Sequence, residues 1–166
     1  MKNIVLVGFM GTGKTAVGKL LAKKLQRSFV DLDAEIEKQA GRSVAEIFSA
    51  EGEPGFRERE EAAVAKVSLR KNCVIAAGGG VLIREDNVRA LRKNGFLVCL
   101  TAQTDVIVKR ISSPGHVRPL LKGAEPRDRI EELLKERAAS YSKADVMVDT
   151  SSLSVKEVVD KVAKLL

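Results

Sequence analysis

Apolar residues in this chain follow two rhythms. Three solid blocks, Ile4-Val5-Leu6-Val7, Cys73-Val74-Ile75-Ala76 and Phe96-Leu97-Val98-Cys99-Leu100, present no polar face. Strands of that kind are covered on both sides, as in a parallel sheet with helices above and below it. Two shorter runs, Phe29-Val30-Asp31 and Val146-Met147-Val148, read as further strands. Between the blocks the spacing changes to three and four. Val17, Leu20, Leu21 and Leu25 share one helical face, as do Val155, Val158, Val159, Val162 and Leu166. Ser43-x-x-Glu46 and Ser154-x-x-Glu157 are capping boxes that open helices, and Gly41 stops one. The pattern predicts helices over about 14–25, 33–39, 43–48, 58–69, 85–93, 104–111 and 126–141, and a last one from 155.

Strands that alternate with helices predict one doubly wound α/β domain over 1–166, with five strands and no repeat or linker. Residues 112–126 break the rhythm: they have no periodicity and hold Pro114, Gly115, Pro119 and Gly123. A connection that long is expected to carry a function of its own. Ligands of such sheets bind beyond the carboxyl ends of the strands, so the informative residues should lie just after each one.

Composition narrows the partners. The chain has 166 residues, 45% hydrophobic and 31% charged, as expected of a globular domain with a real core. No apolar stretch approaches membrane-spanning length, and Met1-Lys2-Asn3 runs straight into the first strand without room for a targeting peptide. A cytoplasmic protein is expected. Cys73 and Cys99 fall at the start of one apolar block and inside another, which predicts buried free thiols. The net charge of +7 comes with 4% aromatic residues, no Trp and no basic tail, which argues against nucleic acid and for small anionic substrates.

Residues 8–15, Gly8-Phe9-Met10-Gly11-Thr12-Gly13-Lys14-Thr15, stand between the first strand and the first helix. In that context G-x-x-x-x-G-K-T is a phosphate-binding loop. Its backbone N–H groups curl around a polyphosphate at a helix N-terminus. Lys14 reaches the β- and γ-phosphates, and the Thr15 hydroxyl is placed to ligate Mg²⁺. After the second strand, Asp31 and Asp33 point the same way if the segment stays extended. One would support Mg²⁺ through water and the other would position or deprotonate an acceptor hydroxyl; alternatively, Asp33 caps the next helix. Gly78-Gly79-Gly80, after the third strand, is either a tight turn or a place of close approach. Arg57 and Glu60 share a helix face, as a surface pair or as an oriented guanidinium for a carboxylate. Arg118, in the irregular segment, is either solvated or arranged to meet phosphoryl charge. Arg137 lies four residues before Tyr141.

Taken together, these motifs resemble the shikimate kinases, within the nucleoside-monophosphate-kinase-like group. The resemblance spans nearly the whole chain: residues 8–15, Asp31-x-Asp33, Gly52-Glu53-x-x-Phe56-Arg57-x-x-Glu60, Gly78-Gly79-Gly80, Arg118-Pro119-Leu120-Leu121 and Arg137-x-x-x-Tyr141, in that order. It implies a three-layer α/β/α fold with strand order 2-3-1-4-5 and a mobile lid over 112–126, with acceptor-binding helices over 33–60. It implies Mg²⁺-dependent transfer of the ATP γ-phosphoryl to the 3-hydroxyl of shikimate, by a monomer. By position, Gly11, Thr12, Gly13, Lys14, Thr15 and Ala16 would hold the phosphates and Arg110 would stack on adenine. Lys14 and Arg118 would stabilise phosphoryl charge, while Thr15 and Asp31 would serve the metal. Asp33 would be the base, Arg57 and Arg137 would clamp the shikimate carboxylate, and Gly78, Gly79 and Gly80 would meet the ring. The chain departs from the family pattern at Ser113-Pro114-Gly115-His116-Val117 and after the last strand, where Thr150-Ser151-Ser152-Leu153 carries no Arg. The rival readings are a gluconate-type kinase, a nucleoside-monophosphate kinase and a nucleotide-binding module without turnover.

Overall fold

Every residue of β1 (Asn3–Val7) is buried, because β1 is the centre of the sheet. It pairs in parallel with β3 (Cys73–Ala76) on one side and β4 (Gly95–Thr101) on the other. β2 (Ser28–Asp31) adds to β3 and β5 (Val146–Asp149) to β4, giving the order β2-β3-β1-β4-β5. The three solid apolar blocks are the inner strands, and the two short runs are the edges. This computed structural model describes residues 2–112, 121 and 125–166.

Alternation along β1 sorts the core into two layers. Ile4 and Leu6 pack with Val17 and Leu21 of α1 (Lys14–Leu25) and with Val158, Val159 and Val162 of α7 (Val155–Ala163). Val5 and Val7 face the opposite layer. That layer holds Leu32 and Ile36 of α2 (Leu32–Ala40), Ile47, Phe56 and Val64 of α3 (Val44–Val67), and Val88 and Leu91 of α4 (Glu85–Asn94). Ile107 of α5 (Thr104–Ile111) and Ile130 and Leu133 of α6 (Pro126–Tyr141) complete it. Both capping boxes form as expected, at Ser43 and Ser154, and both cysteines are buried and free.

The stretch expected as two separate helices is one kinked element. α3 runs through Val44–Val67 and leaves helical geometry only at Gly52 (φ 68°, ψ −175°). Pro54 falls in the first turn after the break, where its missing N–H has no helical acceptor to lose. Glu51 braces the bend: it accepts from Arg42 at 2.7 Å and from both Nε and Nη2 of Arg59 at 2.8 Å. A Cβ on Gly55 would lie 2.5 Å from that of Glu51, so the two limbs fit together only with glycine there. The bend turns Phe56, Arg57 and Glu60 inward towards the carboxyl ends of β1, β2 and β3.

Candidate active site

The nucleotide side is made mostly of backbone. Gly8 leaves β1 at φ 129°, and a Cβ there would fall 2.1 Å from the Leu100 carbonyl oxygen of β4. Only glycine can make that exit. α1 then starts at Lys14 with Gly13 as its N-cap, no capping side chain and no acidic residue in its first turn. Its unpaired N–H groups and positive dipole end therefore have no carboxylate competing for them. The loop is tied from within: the Phe9 carbonyl accepts from Thr12 Oγ1 at 2.7 Å and from Lys14 Nζ at 2.8 Å. It is also tied from outside. Arg110 of α5 donates to the Gly11 carbonyl at 3.2 Å, and to Thr150 through its hydroxyl at 3.0 Å and its carbonyl at 2.8 Å.

At β2 the geometry corrects the period-two reading. The strand ends at Asp31, and Asp31, not Asp33, caps α2: its Oδ1 accepts from the N–H groups of Asp33 at 3.1 Å and Ala34 at 3.4 Å. Its Oδ2 accepts from the Thr15 hydroxyl at 3.0 Å. Asp33 thus sits in the first turn of the helix, free of capping duty. Its Oδ1 is shut off from solvent and has no hydrogen-bond partner among the described residues. Burial first, then the neighbouring Asp31 and Glu60 carboxylates, raise the Asp33 carboxyl from 3.8 to about 6 against the pull of Lys14.

The Arg57–Glu60 pair is internal. Glu60 is fully buried and takes Arg57 Nη1 at 2.7 Å, while Glu53 takes Nη2 at 3.0 Å. Burial pulls the Arg57 pKa down, but these two carboxylates outweigh it and leave it raised. The second oxygen of Glu60, Oε1, also lacks a partner among the described residues. An unpaired carboxylate oxygen in such a place is costly unless a donor arrives to meet it.

The glycine trio is a place of close approach, and side chains make the approach. A Cβ on Gly78 would meet Glu60 Oε1 at 3.0 Å, one on Gly79 would meet Arg137 Nη1 at 3.0 Å, and one on Gly80 would lie 2.3 Å from Arg57 Nη2. Tyr141, one helical turn beyond Arg137 on α6, donates its hydroxyl to the Gly79 carbonyl at 2.8 Å. Burial pushes this phenol up to about 12 against the neighbouring Arg137, so it remains a donor at any working pH.

A single cavity of about 450 Å³ joins the two halves. Gly11, Gly13, Lys14, Thr15, Ala16, Asp31, Asp33, Arg57, Gly78, Gly79, Gly80 and Arg137 all line it. Two expected residues do not: Thr12 is buried beneath the loop, and Arg110 is turned onto Gly11 and Thr150. Arg118 lies outside the described residues. The sequence reading missed Val44 and Phe48 in the lining, and Phe48 packs on Phe56 with ring centroids 4.6 Å apart. Their only sequence signal was an apolar helix face, which looks the same over a core or over a ligand.

The described residues hold no group of three His, Cys, Asp or Glu side chains fit to cage a metal. Mg²⁺ in phosphoryl-transfer sites needs only one or two protein oxygens, with phosphates and water completing its octahedron. The linked oxygens of Thr15 and Asp31, on the cavity wall beside Lys14, suit that role.

Comparison with known proteins agrees with this geometry. A family model described as shikimate kinase matches residues 10–166. Shikimate kinases of Thermodesulfovibrio yellowstonii and Caldanaerobacter subterraneus subsp. tengcongensis are 49% and 51% identical over 164 residues, covering 99% of the chain and 94% and 95% of their own lengths. A solved shikimate kinase from Acinetobacter baumannii, in complex with shikimate, superposes with a TM-score of 0.94 at 36% identity, covering 99% of this chain and 92% of that one. With the family model matched over residues 10–166 and relatives alike over nearly their whole length, the chain belongs to the shikimate kinase family.

Proposed function

We propose that this chain transfers the γ-phosphoryl group of ATP to the 3-hydroxyl of shikimate, giving shikimate 3-phosphate and ADP. One observation carries the reading: Asp33, Arg57 and Gly79 line the same cavity as Lys14. Shikimate is a carboxylate with vicinal hydroxyls, so it needs an anion clamp at one end and a base at the other. Arg57 and Arg137 are the clamp, and the planar guanidinium suits a carboxylate better than an ammonium does. Asp33 takes the hydroxyl proton. Its carboxyl near 6 is ionised at neutral pH, yet more basic than an ordinary aspartate. As the alcohol oxygen bonds to the γ-phosphorus, the bond to the bridging oxygen breaks and ADP leaves with the electron pair. Lys14 and the amides at the start of α1 stabilise the charge that spreads over the transferring group.

Mg²⁺, held through Thr15 and Asp31, would offset phosphate charge when bound. Asp31 orders this part of the wall by capping α2 and holding the Thr15 hydroxyl. Arg110 fixes the rim of the loop where adenine would lie. Among the described residues no helix is long and apolar enough to cross a membrane, and an ATP-dependent biosynthetic reaction suits a monomer in the cytoplasm. The test is ADP release in a coupled assay with shikimate, quinate, gluconate and AMP as acceptors. Turnover with shikimate alone is expected. Turnover with gluconate or AMP and none with shikimate would overturn the assignment, and nucleotide binding with no acceptor-stimulated turnover would leave a binding module.

A further inference from the structure

The two arginines of the clamp are held by different means. Arg57 is gripped by two carboxylates, at 2.7 and 3.0 Å. Arg137 is only 4% exposed, yet it has no carboxylate within ion-pair distance among the described residues. The buried Glu60 carboxylate feels its charge without pairing with it. The Arg137 guanidinium carbon lies over the Phe9 ring, 5.6 Å from the centroid, while one edge meets Gly79 and the Tyr141 hydroxyl. Phe9 belongs to the nucleotide loop. It is 1% exposed, does not line the cavity, and is fixed through its carbonyl by Thr12 and Lys14. Phenylalanine is scarce here, at five residues, and three of them (Phe9, Phe48 and Phe56) gather at this wall.

An aromatic face orients a guanidinium and stabilises its charge without supplying an anion. A carboxylate in the same place would compete with the ligand for the same donors. We propose that Phe9 is a positioning residue for the acceptor: its ring sets the plane of Arg137 and keeps that guanidinium available for the incoming carboxylate. The proposal rests on the assignment of Arg137 to the carboxylate of shikimate. The Phe9 ring meets the acceptor wall through Arg137, so its influence on acceptor binding must vanish when either the acceptor's charge or the cation at 137 is removed.

Phe9→Leu and Phe9→Met keep bulk and remove the ring; Phe9→Tyr keeps it. Steady-state kinetics at saturating ATP are compared for shikimate and for its methyl ester, whose carboxylate is masked. With Phe9→Leu the KM for shikimate should rise roughly three- to thirty-fold, the range from an exposed to a desolvated cation–π contact, with kcat and the KM for ATP within about twofold. The KM for the ester should be the same in the variant and the parent, and Phe9→Tyr should restore shikimate binding. In an Arg137→Met background, which removes the cation, Phe9→Leu should add nothing to the shikimate KM. An unchanged shikimate KM, an equal rise for the ester, additive effects with Arg137→Met, or lower thermal stability without a shikimate-selective KM change would each overturn the proposal. Failure of the unaltered enzyme to use shikimate would instead refute the underlying assignment, and shows before any variant is made.

Discussion

The two halves of the cleft solve opposite problems with opposite materials. The nucleotide half is one contiguous stretch, residues 8–15, made of glycines, backbone amides and a helix end without a competing acid. The acceptor half is built from α2, α3, the turn after β3 and α6, and relies on side chains: Asp33, Arg57, Glu60, Arg137 and Tyr141. Polyphosphate carries its own charge and is met mainly by oriented dipoles, with Lys14 beside them. An uncharged hydroxyl beside a carboxylate needs a base and a cation held at fixed places, which means burying charge in advance. That burial is visible in the raised Asp33 carboxyl and in the unpaired oxygens of Asp33 and Glu60. The acceptor half should therefore be where function and stability pull against each other.

The sharpest way to separate the halves is Asp33→Asn. It should lower kcat by about two orders of magnitude or more, as for loss of a positioned base, with the KM for ATP little changed; parent-like turnover would remove Asp33 from the chemistry. Arg57→Lys should raise the KM for shikimate by roughly tenfold through loss of the planar contact. A change confined to the KM for ATP would mean that the clamp is misplaced. Glu60→Ala leaves a buried guanidinium with Glu53 alone. The expected loss is about 3 kcal/mol, with a melting temperature lower by roughly 6–12 °C. Thr15→Ala, on the exposed hydroxyl of the nucleotide half, should move the melting temperature by less than about 2 °C. Equal losses in the two variants would erase the contrast.

The remaining contrast concerns pH. The profile of kcat/KM should show an acid limb near the Asp33 pKa of about 6, because only the ionised form accepts the proton. The same shift has a stability consequence. Between 3.8 and about 6 the folded protein holds a proton on Asp33 that the unfolded chain releases, so this contribution is full below 3.8 and lost as pH rises through about 6. Asp33→Asn should therefore melt a few degrees above the parent at pH 7–8, a gain that fades below about pH 4. Thermal melts at pH 4 and 8 check the sign.

Much of this was legible in the residue pattern, for reasons that differ by element. Solid apolar blocks identified the inner strands because burial on both faces leaves no polar positions. The phosphate-loop motif was legible because it is a single run of consecutive residues, 8–15. The roles of Asp31 and Asp33 were not, since the helix begins at Leu32, directly after the strand, and the two-residue alternation ends there. Nor could spacing tell that Arg57 and Glu60 are internal, because the kink at Gly52 decides which way that helix face turns. The contacts of Phe9 with Arg137 and of Tyr141 with Gly79 join positions 128 and 62 residues apart. No local pattern encodes such pairs.

The Arg110 strut extends the nucleotide site beyond its motif. The Gly11 carbonyl is held by an arginine whose other partner, Thr150, lies just after the edge strand β5 and is itself bonded to Thr101 at the end of β4. Three neighbouring strand ends are thus laced together at their tips. A fragment that kept residues 8–15 and the inner strands but lost β5 would retain every group expected to touch phosphate. It should still grip nucleotide poorly, because the loop's shape is secured from the far margin of the sheet.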